Sequence, residues 1–473
     1  MIIKREKEYH RLCEAYEAPE NRLVILTGRR GIGKSTLVRQ FIREKNAYIY
    51  EGVECSGERQ KQLLKTSWQN LYHFGETQEK QSAISRIRQT VSENTYLGIF
   101  QQISRSTPDK TVIVIEDFMK ITGTDPVFYD DITTLLKQEE NIMVIMTSST
   151  MNWREEEAGI SQRNFVGQIT DRIVLGEFEL LEMMKYFRGL SMADVIQIYA
   201  LLGGVPGYLK YWDVHGSVQE NILKLYIEKD GQLRGEAENY LRSELRELSL
   251  YNTVLEAMGK GVVRLNDIHE QTGFGRAKIS VYMKNLKKLG VVAKCKTIDL
   301  KCREKGMKGM YEITDSVVHF WSRFLYPAKT ELALLSQEEF YKKRIEPYLE
   351  EYTSVYFERV CVRYMGLMTK YKNRSEFDGR TGAWYGEKGH IPYVMESRDD
   401  KYQIVYGRWM EKEFSRKDLE RFVRYLISAG IEAEQYYIFT KTDFDEQLRQ
   451  KAARVKNMHL INFSNIRSEK GSV

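Results

Sequence analysis

The chain has 473 residues, 42% of them hydrophobic, and a formal net charge of +6. That length predicts about three domains with real cores, and so small a basic excess says little by itself. Five cysteines with no CxxC pair argue against a disulfide framework or a structural zinc site, MIIKREKEYH lacks the apolar core of a signal peptide, and no apolar run approaches the roughly 20 residues of a membrane helix. A cytoplasmic protein with no membrane partner is expected.

The first informative stretch is RLVILT, Arg22 to Thr27, a short β-branched run that predicts a buried strand. It leads straight into Gly28, Arg29, Arg30, Gly31, Ile32, Gly33, Lys34, Ser35 and Thr36, and then into a predicted helix with Leu37, Phe41 and Ile42 on one face. Two glycines five apart, followed by Lys and Ser, let the backbone curl so that successive N–H groups point at phosphate oxygens. Lys34 then reaches the β- and γ-phosphates, the Ser35 hydroxyl ligates magnesium, and the helix N-terminus adds to the anion site. A nucleoside triphosphate and Mg2+ are the expected ligands.

Next comes VIVIED, a second buried strand ending in Glu116 and Asp117. In a P-loop fold the first acid completes the magnesium shell and the second polarises the attacking water. A third apolar run, Ile142 to Ser149, ends in hydroxyls, and Thr147 and Ser148 are candidate sensors of the γ-phosphate. Strands alternating with helices predict an α/β fold with a parallel sheet covered on both faces.

Taken together, IIKREKEYHRL, LVILTGRRGIGKSTL, VIVIEDF, IMVIMTSST, LGGVPGYL and ITDSVVHFWSRFLYP resemble the archaeal-type ATPases of the STAND class, relatives of AAA+ proteins. The resemblance implies ATP in particular as the nucleotide, and a P-loop ATPase domain (1–175), a helical lid (176–245), a winged helix (246–315) and a degenerate restriction-endonuclease-like α/β domain (316–473). It also places Arg5 and Glu6 in an N-terminal box near the base, and makes Gly203, Gly204 and Pro206 the lid motif that closes toward the nucleotide. Two positions depart from the family pattern. Glu116-Asp117 stands where the family has Asp-Glu, and Gly167-Gln168 where it has Gly-Arg, with Arg163 or Arg172 left to supply the missing cation. Both departures imply slow turnover, since misplaced acids and an absent arginine each slow phosphoryl transfer.

Leu265 to Gly290 reads as two helices with a short turn, followed by two short strands around a charged tip: a winged helix-turn-helix. Lys260 to Lys308 holds 13 Lys and Arg against 4 Asp and Glu. Such a basic stripe is the footprint of phosphate contacts. Arg276, Lys278, Lys284, Lys287 and Lys288 lie on the second helix, and Lys301, Arg303, Lys305 and Lys308 on the wing. Double-stranded DNA is the candidate partner, against the plainer reading of a rigid spacer.

In the last third the resemblance requires an acid on a helix, an Asp on one strand and Glu-x-Lys on the next. Glu358 supplies the first, but Pro392, Arg408 and Met410 stand at the others. An inactive domain that binds a protein partner or regulates the ATPase is expected, and a homo-oligomer fits the class. The reading is a slow ATP-hydrolysing STAND-type switch. The alternatives are a nucleotide-holding DNA-binding or scaffold protein without turnover, and a metal-dependent nuclease.

Overall fold

The computed structural model describes residues 5–69, 94–149, 160–301, 305–307, 309–371, 380–387, 389–396 and 402–466. The chain divides into two units, the first ending at Glu177 and the second beginning at Phe178. The first contains five strands: β1 (Arg22–Thr27), β2 (Ala47–Glu51), β3 (Thr111–Glu116), β4 (Ile142–Ser148) and β5 (Asp171–Val174). All pairs are parallel, in the order β2-β3-β4-β1-β5. Every residue of β3 and β4 is buried, which is why both read as unbroken apolar runs: helices cover both faces of such a sheet. On one face Trp68, Tyr96, Phe100, Phe128 and Tyr129 pack against Ile113, Ile115 and Met146.

The strand order positions the site. β4 lies between β1 and β3, with Leu26 level with Thr147, and Ile115 level with Met146. The carboxyl ends of all three strands therefore finish together. In open parallel sheets that edge is where ligands bind.

In the second unit, α1 (Leu248–Gly259), α2 (Leu265–Thr272) and α3 (Arg276–Lys288) precede an antiparallel pair, β6 (Val292–Lys294) and β7 (Tyr311–Ile313). Ile279, Met283, Leu286 and Leu289, at helical spacing, are buried together with Tyr282. A long helix, α4 (Glu346–Tyr371), leads to a five-stranded mixed sheet. Its strands are β8 (Thr381–Tyr385), β9 (His390–Glu396), β10 (Tyr402–Arg408), β11 (Ala433–Thr440) and β12 (Met458–Asn462), with helices Arg416–Ala429 and Glu446–Arg454 as the parallel crossovers.

The segment between β6 and β7 differs from the free charged tip expected of a wing. Thr297 pairs in parallel with Ala383 of β8. Ile298 N–H donates to the Ala383 carbonyl at 3.0 Å, Ala383 N–H to the Lys296 carbonyl at 2.8 Å, and Met307 N–H to the Tyr385 carbonyl at 2.9 Å. Ile298 and Leu300 join the core of the mixed sheet beside Trp384, Ile391 and Ile404. Lys301 and Lys305 stay exposed, and Arg303 and Lys308 lie outside the described residues. The physical reason is the alternation Thr297, Ile298, Asp299, Leu300: it offers one apolar face to an unpaired sheet edge, and an edge accepts a strand.

Candidate nucleotide-binding site

The phosphate loop joins β1 to the helix Lys34–Phe41. Gly33 caps that helix with φ of 101°, a left-handed conformation that a side chain would strain. Lys34 is buried, and its Nζ folds back onto the loop, donating to the Gly28 carbonyl at 2.6 Å and the Arg29 carbonyl at 3.2 Å. Burial pulls its pKa down to about 8, against the opposing pull of Asp117 and Glu116. Arg30 and Gly31 are exposed at the loop tip, Ile32 is buried, and Ser35 and Thr36 open the helix. Arg29 pairs with Glu177 at 3.2 Å. Arg5, named only through the family resemblance, is buried and braces the loop. Its Nη2 donates to the Ile32 carbonyl at 3.0 Å and the Gly176 carbonyl at 2.8 Å.

Across the sheet edge, Glu116 ends β3 with its side chain only 8% exposed. Among the described residues its Oε1 has no hydrogen-bond partner. A buried carboxylate oxygen left open calls for a cation, so Glu116, with the Ser35 hydroxyl at the helix start, fits a divalent magnesium ion. The guanidinium of Arg39 lies 3.7 Å from the other oxygen, Oε2. Asp117 adopts φ of 51°, a region aspartate tolerates better than most residues. Ser149 Oγ donates to its Oδ1 at 2.8 Å, and Lys120 sits 3.3 Å from its Oδ2. Burial pushes the Asp117 carboxyl up, but Ser149 and Lys120, with Lys34 beyond them, outweigh it and hold its pKa below the usual carboxylate value.

The hydroxyls at the tip of β4 divide differently from the sequence reading. Thr147 and Ser148 are fully buried. Thr147 Oγ1 accepts the Asp117 N–H at 3.2 Å and its carbonyl accepts the Phe118 N–H at 3.1 Å, while the Ser148 carbonyl accepts the Gly28 N–H at 3.3 Å. Both thus tie the sheet edge together, and the next hydroxyl, Ser149, reaches a carboxylate. Ser149, Lys120 and Arg39 were missed by the sequence reading. Only Arg39 left a signal there, four residues after Ser35 and so on the same helix face. Arg163 and Arg172, the candidate replacements for the arginine absent at Gln168, are both exposed.

Gly204 and Pro206 belong to the second unit. Phe178 N–H donates to the Gly204 carbonyl at 2.7 Å, and a Cβ at Gly204 would meet the Phe178 carbonyl oxygen at 2.3 Å, so the close backbone approach accounts for this glycine. Pro206 opens the short helix Pro206–Leu209, a place that suits its fixed φ. On α3, Arg276, Lys278, Lys284 and Lys287 are exposed and Lys288 half-buried. Lys278 lies over the rings of Phe274 and Tyr282. In the C-terminal sheet, Glu358 pairs with His390 Nε2 at 2.9 Å. Among the described residues, no group of three or more His, Cys, Asp or Glu side chains is arranged to hold a metal.

Residues 2–212 match the model of an ATPase domain found predominantly in Archaea. Residues 321–421 match a family of archaeal and bacterial proteins of unknown function. An uncharacterised protein of Methanocaldococcus jannaschii is 23% identical over 437 residues, 90% of each chain. Among solved structures, a Walker-type ATPase of Pyrococcus abyssi is similar at 17% identity and a TM-score of 0.46, over 68% of this chain and 96% of that one. The ORC1 protein of Aeropyrum pernix, solved in complex with DNA, is similar at 15% identity and 0.35, over 70% and 95%. No described helix is long and apolar enough to cross a membrane. With a phosphate loop on a parallel 2-3-4-1-5 sheet and a match to the ATPase-domain model over the same residues, the first part of this chain has the fold and phosphate loop of a P-loop ATPase domain.

Proposed function

We propose that this chain is an ATP-operated switch of the STAND type that hydrolyses its nucleotide slowly. The observation that carries this reading is the convergence of Lys34, Glu116 and Asp117 at one sheet edge, close enough for both acids to act on the lysine's protonation. In this reading the N–H groups from Arg29 to Thr36 cradle the phosphates, and Lys34 leaves the loop carbonyls to neutralise phosphate charge. Ser35 and Glu116 hold Mg2+, which screens phosphate charge when bound. Asp117 accepts the proton of the attacking water, with Ser149 and Lys120 fixing its direction.

The lid motif at Gly204 and Pro206, the winged helix and the C-terminal domain respond to the bound nucleotide, as the STAND resemblance implies. Double-stranded DNA is the proposed partner of α3. Its support is that Arg276, Lys278, Lys284, Lys287 and Lys288 have no ion-pair partner among the described residues. The restriction-endonuclease likeness of the C-terminal domain rests on its strand order and on Glu358. No cleavage is proposed, because Pro392, Arg408 and Met410 supply no carboxylate and His390 occupies Glu358.

Steady-state phosphate release with ATP and magnesium, with and without DNA, tests this reading. Asp117→Asn should lower turnover at least about a hundredfold while nucleotide still binds, and Lys34→Ala should abolish binding. A second reading, a nucleotide-holding protein without turnover, is favoured by the engagement of both Asp117 oxygens. It prevails if the native chain binds ATP tightly and releases no phosphate.

A further inference from the structure

Arg39 has no role in the scheme above, yet it is the one cation paired with Glu116 among the described residues. Lys34 is turned to the carbonyls of Gly28 and Arg29, and Lys120 to Asp117. The two partners differ sharply in exposure, 66% for the Arg39 side chain against 8% for Glu116. Arg39 therefore reaches in from solvent over a carboxylate sunk at the end of β3. It sits one helical turn beyond Ser35, so both proposed metal-holding groups, Ser35 and Glu116, have Arg39 beside them.

Resting on the nucleotide-site reading, we propose that Arg39 is a built-in counter-ion of Glu116, supplying positive charge there whenever magnesium is absent. Without it the Glu116 carboxylate would repel a metal-free di- or triphosphate. With it, the site accepts nucleotide before the metal arrives and keeps it after the metal leaves. When the metal binds, the exposed guanidinium swings back to water, at little cost for a side chain already largely solvated. Arg39 is thus a specificity-determining residue for the form of nucleotide bound, rather than a catalytic one.

The test is the affinity for a fluorescent ATP analogue, measured in excess magnesium and in excess chelator, for the native chain, Arg39→Gln, Glu116→Gln and the double variant. Arg39→Gln should weaken binding in chelator about threefold to fivefold, the scale of one largely exposed charge. It should leave binding in magnesium unchanged or tighter. In the Glu116→Gln background the same substitution should change the ratio of the two affinities less than about twofold, and Arg39→Lys should restore most of the native ratio. An equal loss in both conditions, or the same ratio change without Glu116, overturns the proposal. Failure of the underlying site looks different: the native chain does not bind the analogue, or Lys34→Ala binds it as well.

Discussion

Lys34 sits buried with a pKa near 8 and its ammonium satisfied, among the described residues, by two loop carbonyls. A bound triphosphate favours the charged form, so binding takes up a proton wherever the free site has lost it. Affinity for ATP should therefore hold steady below about pH 8 and fall as pH rises through it, approaching tenfold per pH unit. Lys34→Arg, which stays charged throughout, should flatten the profile; fluorescence titrations from pH 7 to 10 read both. The same depression acts on the nucleotide-free fold with its own sign. The unfolded lysine keeps its proton to about 10.5, so stability rises with pH between 8 and 10.5 as the buried charge is discharged. Ser149 offers a separate check. Ser149→Ala removes the donor to Asp117 Oδ1 and should lower phosphate release about tenfold, leaving the affinity for ATP unchanged. Gly28, Gly33, Lys34 and Ser35 were legible because their spacing is local. Ser149 was not, since its meaning depends on a carboxylate on another strand.

Among the elements, α3 carries the clearest consequence. If its basic face meets the phosphates of duplex DNA, Lys287→Glu with Lys288→Glu should weaken binding similarly for unrelated sequences. It should also reduce the slope of log affinity against log salt by about 2. Fluorescence anisotropy at several salt concentrations measures both, and an unchanged slope would leave α3 as a spacer. The buried strands β1, β3 and β4 were readable as apolar runs, and α3 by the helical spacing of Ile279, Met283 and Leu286. β8 was not: TGAWY alternates buried and half-buried residues and opens on a threonine and a glycine. The pairing of Thr297 with it escaped notice for a related reason, since Asp299 to Gly309 reads as a charged tip and nothing local reveals the sheet edge beside it.

At the scale of the second unit, a buried polar knot joins elements far apart in the chain. His319 Nδ1 shares a hydrogen bond with the Tyr356 hydroxyl at 2.9 Å. The Tyr352 hydroxyl donates to the Ala200 carbonyl at 2.9 Å and the Ser316 carbonyl at 3.1 Å. The helix Met192–Leu202, the helix Ser316–Phe320 and α4 meet there. Burial, with Arg359 and Arg323 adding to it, pulls the His319 pKa down to about 3. The unfolded imidazole titrates near 6.5, so this residue costs nothing above that pH. As pH falls from 6.5 toward 3, it should remove stability at about 1.4 kcal/mol per pH unit. Denaturant unfolding of the second unit at pH 7.5 and pH 5 should show this loss, and His319→Gln should narrow the gap between the two.

The pairing of residues 296–298 with β8 bears on where this chain can be cut. Reading the winged helix as a module ending near residue 315 suggests it could be released whole. Severed there, the segment 296–298 would lose its backbone partners, and Ile298 and Leu300 their cover. What is left is a strand with one apolar face, Ile298 and Leu300, and open N–H and C=O groups, a template for pairing with its own copies. The released fragment should therefore aggregate, whereas a fragment running from Phe178 through the mixed sheet should stay monodisperse.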